Sequence, residues 1–336
     1  MLNITWFVLV AIIFVGYFFL EGFDYGVGML LPFMGRSDRE RRIVLTTIGP
    51  FWDGNEVWLI AAGGAIFAAF PQWYASMLSG FYLAIFLLLG GLILRGVAIE
   101  FRSRVEGLRW RRWWDAMFFI GSLLPPLIWG VALANLVKGI PINAQGNYVG
   151  TFLGLLNPFA IVGGLTVVAV FVFHGASFLM LRTSGELYHR AKRAAFTMAP
   201  VVVGIFFVFI VMMYYETDVV RRLGLDPGPI PLLAWLSVIG TWAFVRRGHD
   251  KWAFISSGLA IMLGTVSMFL AMFPDVMISS LNSHWNLTIY NAASNPYSLQ
   301  VMSIMAAVML PIIVAYQAWS YWIFRRRLTD DTKLEY

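Results

Sequence analysis

The amino-acid sequence predicts an all-α integral membrane protein with about nine transmembrane helices. Hydrophobic residues make up 60% of its 336 residues and charged residues only 12%, whereas soluble domains are about one quarter charged. Apolar stretches long enough to cross a hydrocarbon core of about 30 Å follow one another along the chain. Because little sequence remains for a soluble domain, we expect one polytopic membrane domain over residues 1–336.

The apolar runs define the predicted spans in chain order. They lie near residues 4–31, 43–71, 76–101, 115–137, 158–182, 195–215, 230–246, 252–273 and 299–324. The first run lacks a positively charged leader and a small-residue cleavage site, so we expect a retained anchor helix and not a signal peptide. The expected arrangement is two four-helix bundles plus one peripheral helix.

The basic residues predict the orientation of these spans. Nearly all of the 24 Lys and Arg residues fall in loops and helix ends on one side, which the positive-inside rule assigns to the cytoplasm. We therefore expect the N-terminus outside, the C-terminus inside, and an odd number of spans. A net charge of +6 spread over short loops does not indicate a nucleic-acid partner. The absence of cysteine excludes thiolate metal sites, and we expect no metal site in this chain.

Four acidic residues lie inside the first two predicted spans. Asp24 and Asp53 are each about a dozen residues from the basic loop at 35–42, which places both about 17 Å from the inner surface. Glu21 and Glu56 lie three residues farther out on the same helical faces and form a second acidic layer. Ionisable groups at this depth are costly unless they meet a partner, water or a proton, so they predict a functional site.

Two further charged residues extend this pattern toward the inner surface. Arg95 and Glu100 lie near the inner end of the third predicted span, and with the four acids they predict a path for protons. Structural alternatives exist for both pairs. Asp53 and Glu56 have the spacing of a helix-capping box, and Arg95 with Glu100 has the composition of a charged pair at a helix end.

His174 is the one histidine that falls inside a predicted span. The others, His189, His249 and His284, belong to predicted loops, so no pair of histidines is available to ligate haem at midplane depth. We expect no haem ligand in this chain and interpret His174 as a hydrogen-bonded or packing residue. Ligation of a single haem by His174 is the less favoured alternative.

Three segments carry a resemblance to a known family. They are Glu21–Gly28 (EGFDYGVG), Gly49–Ile60 (GPFWDGNEVWLI) and Arg95–Arg102 (RGVAIEFR). Over nearly its whole length the chain resembles subunit II of the cytochrome bd-type quinol oxidases, a family that includes the cyanide-insensitive variants. Weaker support comes from Leu155–Phe159 and Leu287–Pro296.

The resemblance implies a haem-free second subunit of a terminal quinol:oxygen oxidoreductase in the bacterial cytoplasmic membrane. The implied partner is a larger subunit with two haems b, one haem d and the quinol site, and a small single-helix accessory subunit is a second candidate partner. Such an oxidase takes electrons from quinol outside and protons from the cytoplasm to reduce dioxygen to water, so it is electrogenic without pumping. A structural quinone or lipid in an apolar groove is also compatible with the resemblance, beside the surrounding membrane lipids.

The resemblance also implies roles for the buried charges. The residues that it places on the proton path are Asp24 and Asp53, followed by the secondary candidates Glu21, Glu56, Arg95 and Glu100. Two other functions fit the same acids. A proton-coupled secondary transporter also uses acids at the midplane and glycine-interrupted helices, and a purely structural subunit would use the acids to pair with a partner.

Overall fold

The computed structural model describes residues 1–217 and 229–329. The α-helices in these ranges are α1 Leu2–Met34, α2 Asp38–Ile48, α3 Trp52–Ala69, α4 Pro71–Gly80, α5 Tyr82–Arg102, α6 Leu108–Lys138, α7 Pro158–Arg182, α8 Gly185–Glu216, α9 Pro229–Arg247, α10 Asp250–Met272 and α11 Pro296–Ile323. Two short strands, β1 Asp275–Met277 and β2 Leu287–Thr288, pair in antiparallel fashion. The all-α membrane class that the sequence predicts is confirmed.

Within the described residues, 8 helices are long and apolar enough to cross a membrane. They are α1 and α5 to α11, and each corresponds to one predicted span. The predicted span at 43–71 is not among them, and a turn at 49–51 divides it into α2 and α3. Pro50 lies in this turn and has no N–H to donate to a continuous helix. The predicted span at 76–101 is also divided, because the helix is interrupted at Phe81. Residues 76–80 belong to α4, and α5 begins at Tyr82.

A helix-capping box is present, but at a different place from the one that the sequence suggests. Ser37 accepts a hydrogen bond from the Glu40 backbone N–H, and the Glu40 carboxylate accepts from the Ser37 backbone N–H, at the start of α2. The capping alternative for Asp53 and Glu56 is wrong. The N-cap of α3 is Phe51, so Asp53 lies in the first helical turn.

Helix α1 lies at the centre of the packing and contacts α2, α3, α6, α7, α10 and α11. Its closest approach to α7 is at Gly26 and Gly175. A Cβ atom at Gly26 would lie 2.0 Å from the backbone oxygen of Phe171, so no larger residue fits without moving a helix. This close contact fixes the depth of α1 relative to α7.

The helices form two groups of neighbours around this contact. The first group contains α1, the divided helix α2–α3, α5 and α6, and the second contains α7 to α10. Helix α11 packs on α1 and α3, and among its residues Leu299 alone is fully buried. This is the predicted arrangement of two bundles and one peripheral helix.

The two long loops at the end of the molecule away from the basic residues pack on each other. The Ile140 N–H donates to the Ile278 carbonyl, and the Ser280 N–H donates to the Ile140 carbonyl, each at 2.9 Å. The Ser279 hydroxyl donates to the Ile142 carbonyl at 2.8 Å. These hydrogen bonds join the two loops in one cap over the helix ends.

Candidate functional site

Three charged side chains from three helices meet inside the first bundle. Arg95 of α5 donates from Nη1 to Oε2 of Glu21 at 2.6 Å and from Nη2 to Oε1 at 2.8 Å. Its Nη2 also lies 2.9 Å from Oε2 of Glu56 on α3. Arg95 and Glu21 are fully buried, whereas 23% of the Glu56 side chain is exposed. One guanidinium group therefore holds two carboxylates, one of them in the bidentate geometry that arginine favours.

The helical repeat of α1 places two tyrosines beside this ion pair. Tyr17, Glu21 and Tyr25 are spaced by four residues and lie on one face of α1. The guanidinium carbon of Arg95 lies 4.6 Å from the centre of the Tyr25 ring, within the range of a cation–π contact. The Tyr25 and Tyr17 hydroxyls are 2.6 Å apart. These contacts hold Arg95 in place between the two carboxylates.

Asp24 is fully buried one turn along α1 from Glu21. Its Oδ2 accepts a hydrogen bond of 2.7 Å from Nδ2 of Asn55, whereas its Oδ1 has no hydrogen-bond partner in the described residues. The Asn55 oxygen in turn accepts from Gln317 Nε2 and from Tyr321 Oη, each at 2.8 Å. Asp24 thus belongs to a polar chain that runs from α1 through α3 to α11. We call Glu21, Asp24, Asn55, Glu56 and Arg95 the buried acid network.

The structure places Asp53 and Glu100 outside the buried acid network. Both are exposed on the surface of the chain. Neither side chain is paired with a basic residue in the described ranges. The predicted charge pair of Arg95 with Glu100 is wrong, because five residues on a helix separate two side chains by about 140°. Arg95 therefore points toward α1 while Glu100 points away from it.

A second charged cluster lies at the basic end of the same helices. Its members are Asp38, Arg41, Arg102, Arg111 and Asp115, and we call it the basic-end cluster. Asp115 accepts from Arg102 Nε at 2.6 Å and from Arg41 Nη1 at 2.5 Å. Asp38 accepts from Arg102 and Arg111 at 2.9 and 2.8 Å. Each carboxylate here contacts two arginines.

One further ion pair joins the basic ends of the two bundles. Arg190 of α8 pairs with Glu40 of α2 and donates to the Met34 carbonyl at 2.6 Å. The hydrogen bonds from Arg190 lower the pKa of the Glu40 carboxyl below its ordinary value, because they stabilise the ionised form.

His174 lies fully buried in α7, and both of its ring nitrogens have partners. Nδ1 lies 2.7 Å from the Ser257 hydroxyl, and Nε2 lies 3.2 Å from the Phe19 carbonyl. The ring also stacks on Phe254 with centres 4.7 Å apart. These contacts are those of the hydrogen-bonded, packing histidine that we favour from the sequence, and they leave neither nitrogen free for a haem iron.

A lateral groove of about 420 Å³ borders the polar chain that starts at Asp24. Half of the residues that line it are aromatic, among them Phe51, Phe178 and Tyr321, and Arg182 and Arg325 line it at the basic end of α7 and α11. The groove is therefore apolar along most of its length and positively charged at one end.

Sequence reasoning misses two parts of this site. Asn55 lies inside one of the three family motifs, but its side chain is neutral. Burying a neutral amide costs much less free energy than burying a charge, so its position alone does not predict a functional role. Asp115 stands at the first position of a predicted span, where an acid is expected to reach the interface. The spacing of Tyr17, Glu21 and Tyr25 is a usable signal, since it predicts one shared helical face.

Comparison with known proteins decides the family. The family model described as cytochrome bd terminal oxidase subunit II matches residues 2–324. The chain belongs to this family. It is 44% identical to the cytochrome bd ubiquinol oxidase subunit 2 of Bacillus subtilis, over 100% of this chain and 99% of that one. It is 39% identical to the cytochrome bd-I ubiquinol oxidase subunit 2 of Escherichia coli K12, over 98% of this chain and 96% of that one.

A solved structure supports the fold of this subunit II. The bd oxidase from Geobacillus thermodenitrificans contains a chain that superimposes with a TM-score of 0.77, over 96% of this chain and 98% of that one. Because the two sequences are 17% identical in this superposition, the likeness shows the shared fold alone.

Family membership makes the chain a membrane subunit of an oxidoreductase complex and implies a partner subunit I. The cytochrome bd family also implies haem in that complex. In the part of the chain that the structure describes, no group of three or more His, Cys, Asp or Glu side chains could hold a metal ion. The contacts of His174 likewise do not fit the role of an axial haem ligand.

Proposed function

We propose that this subunit II carries protons from the basic side of the membrane toward a haem-bearing subunit I, where dioxygen is reduced to water. The observation that supports this proposal most strongly is the buried acid network. Glu21 and Glu56 share the single guanidinium group of Arg95, and the buried carboxyl group of Asp24 lies one turn along α1 without a basic partner in the described residues. Acids held inside a membrane domain in excess over their basic partners can take up and release protons.

Within this network the acids have different roles. Arg95 donates hydrogen bonds to both Glu21 and Glu56, so its one positive charge is shared between these two carboxyl groups and holds them in place. Asp24 has no such partner, and a buried carboxylate without a cation is costly compared with the neutral acid. Asp24 is therefore the group that holds a proton and passes it on.

The surface that carries Asp53 and Glu100 is the face that contacts subunit I. An exposed carboxylate without a partner does not face lipid at bilayer depth, because its charge would lose hydration. The surrounding residues are exposed and apolar, among them Ile60 on α3 and Ile93 and Val97 on α5. In the complex, Asp53 and Glu100 extend the proton path from the buried acid network to the partner.

The redox chemistry belongs to the partner. We place two haems b, one haem d and the quinol site in the larger subunit and none of them in this chain, in a heterodimer that a small single-helix accessory subunit extends. With the basic side in the bacterial cytoplasm, protons enter from inside and electrons from quinol on the outer side, so turnover is electrogenic without pumping. Each charge moved works against about 2.3 kcal/mol per 100 mV.

The lateral groove is the place on this chain for a structural quinone or lipid. Its aromatic walls suit an isoprenoid or acyl chain, and the arginines at its basic end suit a polar headgroup. A proton-coupled transporter is less well supported, since the curated relatives are named as oxidase subunits. A purely structural role for the acids leaves the unpaired Asp24 unexplained.

The experiment is an Asp24→Asn substitution in the assembled oxidase, with Glu106→Gln on an exposed loop as the matched control. We expect Asp24→Asn to lower quinol-dependent oxygen consumption per haem by about a hundredfold, because positioned proton-transfer groups contribute effects of that order. The control should keep full turnover. The reduced-minus-oxidised spectrum reports haem content, so unchanged turnover with intact haem would refute the proton path.

A further inference from the structure

Among the described residues, Asn55 donates a side-chain hydrogen bond to Asp24. Both the nitrogen and the oxygen of its amide form hydrogen bonds. Nδ2 donates to Oδ2 of Asp24 at 2.7 Å, while the amide oxygen accepts from Gln317 and Tyr321. A carboxyl oxygen that carries no proton can accept hydrogen bonds but not donate them, so Oδ2 of Asp24 takes the NH₂ end of the amide. The oxygen end of the amide then accepts from two donors on α11. Each hydrogen bond in this series is therefore donated in the direction from α11 toward Asp24.

One of the two donors on α11, Tyr321, is itself fixed in place. Gln317 and Tyr321 are four residues apart and share one face of the helix. The Tyr321 ring stacks on Phe51 with centres 4.2 Å apart and an interplanar angle of 2°. Since Phe51 immediately precedes α3, this stack positions the Tyr321 hydroxyl against Asn55. The peripheral helix thus sets the orientation of an amide in the bundle interior.

The two oxygens of Asp24 therefore have different environments. Oδ2 accepts the hydrogen bond from Asn55, whereas Oδ1 is buried without a partner in the described ranges. We propose that Asn55, oriented by Gln317 and Tyr321, is a positioning residue that holds Oδ2 and leaves Oδ1 as the oxygen that takes up and releases the proton. This inference rests on the proposed function of Asp24.

The proton transfer involves no change in electrons. An O–H bond forms at Oδ1 when a hydrated proton arrives from the basic side, and it breaks when the proton passes to a base nearer the partner subunit. Asn55 keeps its own protons throughout, because an amide holds its N–H protons in both states of Asp24. Its contribution is to keep the carboxyl group in one orientation between the two transfers.

The test uses the assembled oxidase with two variants and one control. Asn55→Leu removes the hydrogen bond to Asp24, and the double substitution Gln317→Leu with Tyr321→Phe removes the two donors but keeps Asn55. Tyr316→Phe is the control, because Tyr316 lies on the same helix and is 66% exposed. Oxygen consumption per haem is measured in H₂O and in D₂O, together with haem content and the thermal unfolding midpoint.

We expect both variants to lower turnover by about fivefold to tenfold, as the loss of one or two hydrogen bonds implies. The solvent isotope effect should rise in both, because slower proton transfer limits the rate more strongly, whereas a purely structural defect would leave it unchanged. Tyr316→Phe should match the wild type in every measurement.

The inference is overturned if both the turnover and the isotope effect of the double variant match the wild type while Asp24→Asn has lost turnover. Full turnover of Asp24→Asn would overturn the proposed function instead, so the two failures are distinguishable. If Asn55→Leu does not assemble, the double variant decides the matter, because it leaves Asn55 and Asp24 in place.

Discussion

The buried acid network and the basic-end cluster are built from the same kinds of side chain in opposite proportions. The network contains three carboxyl groups and one arginine, whereas the cluster contains two carboxylates and three arginines. Asp115 in the cluster is paired with two guanidinium groups, whereas Asp24 in the network is paired with none. A surplus of acid leaves one carboxyl group without a cation, while a surplus of base gives each carboxylate two guanidinium partners.

The two groups are also mechanically connected. Arg95 and Arg102 lie seven residues apart on one face of α5, which corresponds to about 10 Å along the helix axis. The basic-end cluster therefore fixes the rotation and depth of α5, and the same helix presents Arg95 to Glu21 and Glu56. We infer a division of work in which the cluster braces the helices and the network exchanges protons.

The largest expected effect comes from removing the arginine of the network. Arg95→Leu leaves Glu21 and Glu56 close together without a cation, and breaking a buried pair in this way costs about 3–5 kcal/mol. We expect the yield of assembled oxidase and its thermal midpoint to fall steeply. Arg104→Leu, at an exposed position just beyond α5, is the control and should have neither effect. Normal assembly of the Arg95 variant would contradict the burial argument.

An intermediate effect is expected from Asp115→Asn in the basic-end cluster. The amide keeps the shape of the side chain but leaves Arg41 and Arg102 without their shared carboxylate, at a cost of about 2 kcal/mol for charged hydrogen bonds. The thermal midpoint should fall while oxygen consumption per haem stays unchanged, which is the reverse of the result expected for Asp24→Asn. If Asp115→Asn and Asp24→Asn lost turnover equally, Asp115 could not be assigned a purely structural role and Asp24 a role in proton transfer.

The smallest effect concerns the ion pair between Glu40 and Arg190. Glu40→Gln should lower the stability at neutral pH by at most about 1 kcal/mol, the usual scale for a pair near the surface. Because Arg190 lowers the pKa of Glu40, the pair stabilises the fold above the ordinary pKa of a carboxyl group. Its contribution is lost as the pH falls through the lowered value.

Thermal midpoints measured at several pH values test this sign. The difference in thermal midpoint between the wild type and Glu40→Gln should disappear on acidification, and Glu106→Gln on the exposed loop between α5 and α6 should show no difference at any pH. A difference in thermal midpoint that increases at acidic pH would contradict a stabilising ion pair between Glu40 and Arg190.

Several features of this fold are readable from local sequence. The apolar runs locate eight helices because the length of a membrane-crossing segment is set by the bilayer. The helix interruptions at 49–51 and at Phe81 cannot be predicted in the same way, because a hydropathy pattern does not show whether two adjacent apolar segments form one continuous helix. Among the site residues, the sequence correctly locates Glu21 and Asp24 in the interior. It is wrong about Arg95, which it places nearer the inner surface than the acids, whereas the structure places it against Glu21 and Glu56 of the outer acidic layer.

The sequence by itself determined the membrane class, the family and the presence of acids at bilayer depth, because hydrophobic length and the cost of a buried charge depend on composition and local spacing. The tertiary structure decided which charges meet. Arg95 bonds to Glu21 across 74 positions of the chain, and Tyr321 bonds to Asn55 across 266. Such pairs depend on how each helix is rotated when it packs, and the rotation of α3 that buries Asn55 against Asp24 leaves Asp53 exposed for the partner that we propose.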